Sequence, residues 1–189
     1  RVLDGYEAAI HANGRRDSRH RIEHVETVTD ADIPRFKELG VIASMQPLHS
    51  AAAGLFPNIP PGMIYHDRQI RNAFAWQTLR DAGATLAIGT DWPIVPLEPL
   101  VSVAAAMFTT KPDERWVDQS QSLEDTLASY TIDGAYTEFA EDQKGMLKAG
   151  MLADIAILSS DLEANDAASM KATEAVVTLC DGRMVHDGR

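Results

Sequence analysis

The sequence is poor in cysteine and has no long hydrophobic run. Its 189 residues include one cysteine, Cys180, so no disulfide can form within the chain, and this fits a reducing compartment. No stretch approaches the ~18 consecutive apolar residues of a membrane-spanning helix. The first residues also lack the pattern of a signal peptide. We therefore expect a cytoplasmic protein without a membrane partner.

Positive charge is scarce as well. Lysine and arginine number 17 against 28 aspartates and glutamates, which gives a net charge of -11. Nucleic acids and anionic membranes recruit proteins through basic patches, so the negative charge argues against either as a partner. In other respects the composition is that of an ordinary globular protein, with 45% hydrophobic and 24% charged residues.

An initiator methionine is absent too. The chain begins at Arg1 and enters a helical pattern at once, over residues 2–13. A length of 189 residues is enough for one domain, or for one domain and a small part of another. From the abrupt start we expect the sequence to be a piece of a longer chain.

What the sequence does contain is an alternation of short apolar runs and helical patterns. The predicted strands are 20–25, 41–45 and 84–88. The predicted helices are one from the capping box at 29–32 to Gly40, then 67–82, 97–109 and 122–132, with a further turn at 136–140. This rhythm is typical of βα units, so the predicted fold class is α/β with a parallel sheet.

After about residue 143 the pattern changes to β structure. Strands are predicted at 153–158 and 176–180, and Asp181 and Gly182 then lead into a third run at 183–186. An Asp-Gly pair is a strong hairpin signal because both turn positions need a positive φ. The polar segment 159–173 contains no predicted element. The predicted parts of the chain are therefore 1–142 and 143–189.

Three polar residues stand at or after the ends of the predicted strands. His24 ends the first strand, His49 follows the second by a few residues, and Asp91 follows the third. Residues at the carboxyl ends of parallel strands converge on one face, and imidazole and carboxylate groups are suitable ligands for Zn²⁺ or a similar ion. Simpler interpretations stay open at this point, since Asp91 can cap the turn before Pro93 and a histidine can be structural.

Three motifs, in this order, resemble the amidohydrolase superfamily. They are Arg21-Ile-Glu-His24, then Leu-Gly-Val-Ile-Ala-Ser-Met-Gln-Pro at 39–47 with His49, and Ala-Ile-Gly-Thr-Asp-Trp-Pro at 87–93. The nearest resemblance is to the branch that includes N-substituted formamide deformylases. The segment 144–158 agrees, because it resembles the return from the barrel to a small β domain that both chain termini build in this family.

The resemblance implies a metal-dependent hydrolase of carbon–nitrogen bonds in small amide-type substrates. Residues 1–142 would be the C-terminal part of a (β/α)8 TIM barrel, strands six to eight with their helices, and 143–189 a β-rich segment of a composite β-sandwich domain. His24 and Asp91 would bind the divalent metal, for which we expect zinc, and Asp91 would also take a proton from the attacking water. His49 would contact the substrate, with an exposed loop histidine as the alternative.

Some features of the superfamily are absent. No His-x-His pair occurs anywhere in the sequence, and the mid-barrel ligand has no counterpart. With two of the expected ligands, we expect the isolated chain to bind metal weakly and to be inactive. Unpaired strand edges predict self-association or association with the missing N-terminal part. The alternative is a non-catalytic barrel fragment with a structural or interaction role.

Two neighbouring residues and one segment have weaker interpretations. Glu23 precedes His24 on the opposite face of a strand, and we expect it to be structural or to support the ligand indirectly. Arg68 matches an arginine that often precedes the next helix in this branch, and we interpret it as a solvated residue at a helix start. The segment 47–66, rich in proline, glycine and alanine, is expected to lie over the site.

Overall fold

The computed structural model describes residues 1–53, 70–112 and 114–189. Arg68 and most of the segment 47–66 lie outside the described residues. Within the described ranges the chain is α/β, as the sequence predicts. No helix in these ranges is both long and apolar enough to cross a membrane.

Helices and strands follow one another closely in the described part of the chain. The α-helices are α1 (Val2–Asn13), α2 (Ile33–Leu39), α3 (Trp76–Asp81), α4 (Pro99–Met107), α5 (Leu123–Tyr130), α6 (Ile132–Thr137) and α7 (Ala167–Ala172). The strands are β1 (Arg21–Glu23), β2 (Ile42–Met45), β3 (Leu86–Ile88), β4 (Ile155–Leu158), β5 (Ala175–Cys180) and β6 (Arg183–Asp187).

The first three strands form the predicted parallel sheet, in the order β1-β2-β3. Glu23 lies opposite Ser44 in the register, and Met45 lies opposite Ile88. Because all three strands run in the same direction, their carboxyl ends meet at one edge of the sheet. The residues that follow the strands are therefore close together.

The main core lies between this sheet and its helices. Helix α2 ends where Gly40 adopts a left-handed conformation (φ 66°), which turns the chain directly into β2. Strands β2 and β3 are apolar and largely buried, and helix α3 packs against both. Large side chains of this core that are at most 2% exposed include Phe36, Val41, Met45, Ile70, Trp76, Leu79 and Leu86.

Helix α3 is shorter than predicted. The sequence predicts one helix over 67–82, of which 67–69 lie outside the described residues; Ile70 is helical, but the helix is then interrupted and α3 begins at Trp76. Phe74 has a φ of 49°, and its N–H donates to the carbonyl of Glu26 at 2.9 Å. This tertiary hydrogen bond takes the backbone out of the helical path, so the prediction of a continuous helix is wrong despite the apolar periodicity.

The helical turn predicted at 136–140 is displaced. Helix α6 begins earlier, at Ile132, and ends at Thr137. Phe139 lies inside the predicted turn with a φ of 61°, which is incompatible with a right-handed helix. The strand predicted at 20–25 is shortened in the same way, because positive φ angles begin just after Glu23.

The last three strands form a separate antiparallel sheet, in the order β4-β5-β6. Asp181 and Gly182 connect β5 to β6 with φ angles of 49° and 72°. The predicted hairpin is therefore confirmed, with both turn residues in the left-handed region. The Gly182 N–H also donates to the carbonyl of Ala153 at 3.1 Å, which ties the turn to the start of β4.

Helix α7 lies in the segment 159–173, for which the sequence predicts no element. Asp166 caps it, because its carboxylate accepts the N–H of Ser169 and the Ser169 hydroxyl accepts the N–H of Asp166. The sequence contains the capping signal as Asp-x-x-Ser. The helix has no apolar periodicity to accompany it, because only one of its residues, Met170, is fully buried. Met170 contacts Val103 and Ala104 of α4, so α7 connects the antiparallel sheet to the first part of the chain.

Candidate metal centre

His24 is the first residue after β1, at a sharp bend of the backbone. Its N–H continues the sheet by donating to the carbonyl of Ser44 at 2.7 Å. The next N–H, that of Val25, turns back to the carbonyl of Glu23 at 2.9 Å. This hydrogen bond, with a His24 φ of 71°, makes His24 the centre of a γ-turn, a rare and strained conformation. The exposed imidazole lies at the carboxyl edge of the sheet.

Gln46 is the residue that contacts the imidazole of His24. Its side-chain Oε1 lies 2.8 Å from His24 Nδ1, and Gln46 is only 6% exposed. With the amide in this orientation, Oε1 accepts from Nδ1–H, and the lone pair of a neutral His24 ring is then on Nε2. Sequence reasoning assigned no role to Gln46. The available signal was its place directly after β2, where His24 stands directly after β1.

His49 reaches the same place from a short 3-10 turn, Pro47–His49, that follows β2. Its imidazole is 9% exposed, and Nε2 lies 3.6 Å from Oδ2 of Asp91. Burial lowers the pKa of His49, the Asp91 carboxylate opposes that shift, and His24 adds to it. The net direction favours the neutral imidazole, which is the form that accepts a hydrogen bond or binds a metal.

Asp91 follows β3 and faces His49. Its backbone has a φ of 60°, and its carbonyl accepts the N–H of Ile94 at 2.9 Å. The N–H of Trp92 is bound instead by the Thr90 hydroxyl, at 3.2 Å. Backbone and threonine groups thus hold this turn, while the Asp91 carboxylate, 38% exposed, is directed to the histidines.

Together, the three predicted site residues form a single cluster. One ligand atom from each of His24, His49 and Asp91 lies within 4.8 Å of the other two. Two atoms bound tetrahedrally to one Zn²⁺ at 2.0–2.2 Å are about 3.4 Å apart. The 3.6 Å between His49 Nε2 and Asp91 Oδ2 is near that value. Small side-chain rotations would bring the remaining ligand atoms, now within 4.8 Å of one another, to the same spacing. Two imidazoles and a carboxylate are a donor set that fits a divalent ion such as zinc.

The two histidine rings are neighbours in the cluster. The His24 and His49 rings are stacked, with centroids 5.5 Å apart and planes only 20° from parallel. A ring nitrogen binds a metal through a lone pair in the plane of its ring. In each ring the candidate ligand atom is the nitrogen that lies within 4.8 Å of the Asp91 carboxylate.

Glu23 takes no part in the cluster. Its carboxylate pairs with the guanidinium of Arg21, two residues earlier on β1, and both side chains are about half exposed. The sequence suggested Glu23 as an indirect support of His24. The side chain that contacts the His24 imidazole through a hydrogen bond is that of Gln46 instead.

A family model matches most of the chain. The model of the Amidohydrolase family covers residues 1–186. The chain belongs to the Amidohydrolase family. The resemblance found in the three sequence motifs is thereby confirmed.

Individual relatives also match most of the chain. Protein LONG AFTER FAR-RED 3 of Arabidopsis thaliana is 34% identical over 163 residues, which are 85% of this chain and 27% of that protein. The N-substituted formamide deformylase of Arthrobacter pascens is 23% identical over 183 residues, 96% of this chain and 33% of that enzyme. The N-substituted formamide deformylases, the branch that the sequence motifs resemble, are therefore among the distant relatives of the chain.

A solved structure shows the same fold. An uncharacterized metal-dependent hydrolase from Pyrococcus horikoshii OT3 superposes with a TM-score of 0.71 and 27% identity, over 88% of this chain and 32% of that protein. The chain thus spans about a third or less of the length of each relative described here.

Proposed function

We propose that the chain is the C-terminal part of the catalytic barrel of a metal-dependent hydrolase that cleaves carbon–nitrogen bonds in small amide-type substrates. The observation that carries the proposal is the meeting of His24, His49 and Asp91 at the carboxyl edge of a parallel sheet. That edge is where TIM-barrel enzymes have their active sites. The proposal is supported by membership of the Amidohydrolase family and by the similar fold of the metal-dependent hydrolase from Pyrococcus horikoshii.

In this proposal the two parts of the chain belong to different domains of the complete protein. Residues 1–142 supply strands six to eight of a (β/α)8 barrel as β1, β2 and β3, and 143–189 supply a segment of a composite β-sandwich. The change from a parallel to an antiparallel sheet supports this division. We place the complete protein in the cytoplasm.

The proposed chemistry divides the work among the three side chains. A divalent metal ion, for which we propose zinc, would polarise the scissile carbonyl and make water more acidic. His24 would hold that ion through Nε2, and Asp91 would bind it through one carboxylate oxygen. The other oxygen of Asp91 accepts the proton of the attacking water and passes it to the leaving nitrogen. His49 contacts the substrate next to Asp91.

Metal analysis of the full-length protein tests the site. We expect His24→Ala and Asp91→Asn each to lower the bound metal strongly, while His11→Ala, which removes an exposed histidine from α1, leaves it unchanged. Elemental analysis after purification without added metal gives the stoichiometry. Unchanged metal content in both site variants would overturn the assignment and favour a non-catalytic barrel fragment.

We also propose that the isolated 189-residue chain binds metal weakly, is inactive and associates with itself or with the rest of the barrel. Within the described sheet, β1 and β3 each pair only with β2, so each has an outer edge. Such edges pair readily with other strands. Sedimentation velocity on the isolated chain checks this, and a single monomeric species over a hundredfold concentration range contradicts it.

A further inference from the structure

We propose that Gln46 is a positioning residue that fixes the proton of His24 on Nδ1 and so keeps Nε2 available as a ligand atom. The inference rests on the proposed metal site, which it deepens. It starts from one contact, the 2.8 Å between Gln46 Oε1 and His24 Nδ1. A ligating histidine commonly has an acceptor of this kind on its second nitrogen, which sets the tautomer and the ring orientation.

The sheet fixes the distance between the two residues. His24 follows β1 and Gln46 follows β2, and these neighbouring strands are in register at Glu23 and Ser44. The His24 N–H donates to Ser44 O at 2.7 Å, so the backbone at the bend is bound to the same strand that carries Gln46. The contact between the side chains is therefore a consequence of strand pairing rather than of a flexible loop.

Gln46 is connected to both histidines of the cluster. Its side chain contacts His24, and its backbone carbonyl accepts the His49 N–H at 3.0 Å, which closes the short turn that carries His49. Gln46 itself is 6% exposed, so its amide has little freedom to turn toward water. A buried amide held in this way can determine which nitrogen of His24 has the proton.

The chemistry of an amide explains why a glutamine suits this place. The Oε1 atom accepts a hydrogen bond without adding a negative charge beside the ion and Asp91. The opposite orientation would put the amide N–H₂ against Nδ1, and Nε2 would then carry the proton and could not bind a metal. The tautomer of His24 is thus an observable that distinguishes the two arrangements even when no metal is bound.

The first measurement is the tautomer of His24 in the metal-free full-length protein, by long-range ¹H–¹⁵N spectroscopy of ¹⁵N-histidine at a pH where imidazoles are neutral. We expect Nδ1–H in the wild type and in Gln46→Glu, which keeps an acceptor oxygen. In Gln46→Leu we expect Nε2–H to gain population. The exposed His11 serves as an internal reference that no variant should change. A wild-type His24 with Nε2–H overturns the proposal, whether or not the leucine variant folds.

The second measurement is the affinity of the same proteins for Zn²⁺, by competition with a chromogenic chelator. Loss of such an outer hydrogen bond commonly weakens metal binding by about 10–100-fold, which we expect for Gln46→Leu, with Gln46→Glu restoring most of the affinity. A shifted tautomer with unchanged affinity overturns the positioning role. An affinity that His24→Ala also leaves unchanged counts instead against the proposed metal site, so the two failures are distinguishable.

Discussion

At the scale of single residues, the site is built on uncommon backbone conformations. His24 and Asp91 have φ angles of 71° and 60°, and Val25, a β-branched residue, has 42°. Histidine and aspartate enter the left-handed region more readily than most residues, but for valine it is a true outlier. Strain of this kind persists only where the surroundings enforce it, and it collects at functional sites. The bends place both proposed ligands beyond the strand ends, where they face one another.

The role of His49 can be separated from that of His24 by substitution. In the full-length protein we expect His49→Ala to change the Zn²⁺ affinity by less than about 3-fold, against at least about 10–100-fold for His24→Ala, by analogy with the loss of groups at metal sites. The reason is that the proposal assigns the ion to His24 and Asp91, and gives His49, 3.6 Å from Asp91, a contact with the substrate. Chelator competition measures both affinities. An equal loss in the two variants would make His49 a third ligand rather than a substrate contact.

The sequence predicted His24, His49 and Asp91 as site residues because each stands at or after the end of a predicted strand, and because the motifs that contain them resemble the amidohydrolase superfamily. It did not predict that the His49 imidazole is held within 3.6 Å of Asp91, because this depends on the turn after β2. Gln46 was missed for a different reason. An uncharged glutamine has no chemistry that identifies it, and only the pairing of β1 with β2 brings it to His24.

At the scale of elements, the predictions succeeded where local pattern and tertiary structure agree. The strands β2 and β3 are short apolar runs between glycine or proline residues, and their burial in the sheet is the cause of that pattern. The predicted helix at 67–82 failed because the hydrogen bond from Phe74 to Glu26 outweighs helical periodicity. Helix α7 was missed because a helix with one buried side chain leaves almost no apolar period.

Gly145 offers a test of the loop that leads from α6 to β4. It has a φ of 97°, and a Cβ there would lie 2.8 Å from the Cα of Ile132. We expect Gly145→Ala to lower the free energy of unfolding by about 2–5 kcal/mol, since backbone strain of about 1–2 kcal/mol is joined by an overlap that costs about 1–3 kcal/mol and that side-chain rotation cannot relieve. The midpoint of urea denaturation at an unchanged m-value measures the effect.

Gly150 is the matched control for this substitution. Its φ of 95° is nearly the same, but a Cβ at Gly150 would have no atom within 4 Å. Gly150→Ala should therefore show the backbone strain alone, about 1–2 kcal/mol. Equal losses in the two variants would mean that the approach to Ile132 relaxes without cost.

At the scale of the whole molecule, the two sheets form one structure through few connections. Among the described elements, the most extensive contact between the first part of the chain and the antiparallel sheet region is that of α4 with α7. The apolar cluster there is small, and Met170, Val103 and Ala104 are its buried members. The parallel sheet has a much larger core of its own. The chain spans about a third or less of the length of each relative described above.

Because the apolar cluster between α4 and α7 is much smaller than the core of the parallel sheet, we expect the antiparallel sheet to open before the parallel one. We expect Met170→Ala to lower the stability of the α4–α7 contact by about 2–4 kcal/mol, as for other buried methionine truncations, because Met170 is 0% exposed. Met184→Ala, on the 54% exposed Met184 of β6, should change stability by less than about 0.5 kcal/mol. Amide hydrogen exchange resolves the two sheets, and in Met170→Ala the amides of β5 should exchange faster while those of β2 keep their protection. Equal acceleration in both strands would show that the two sheets unfold as one cooperative unit, with α7 only one of several contacts that hold them together.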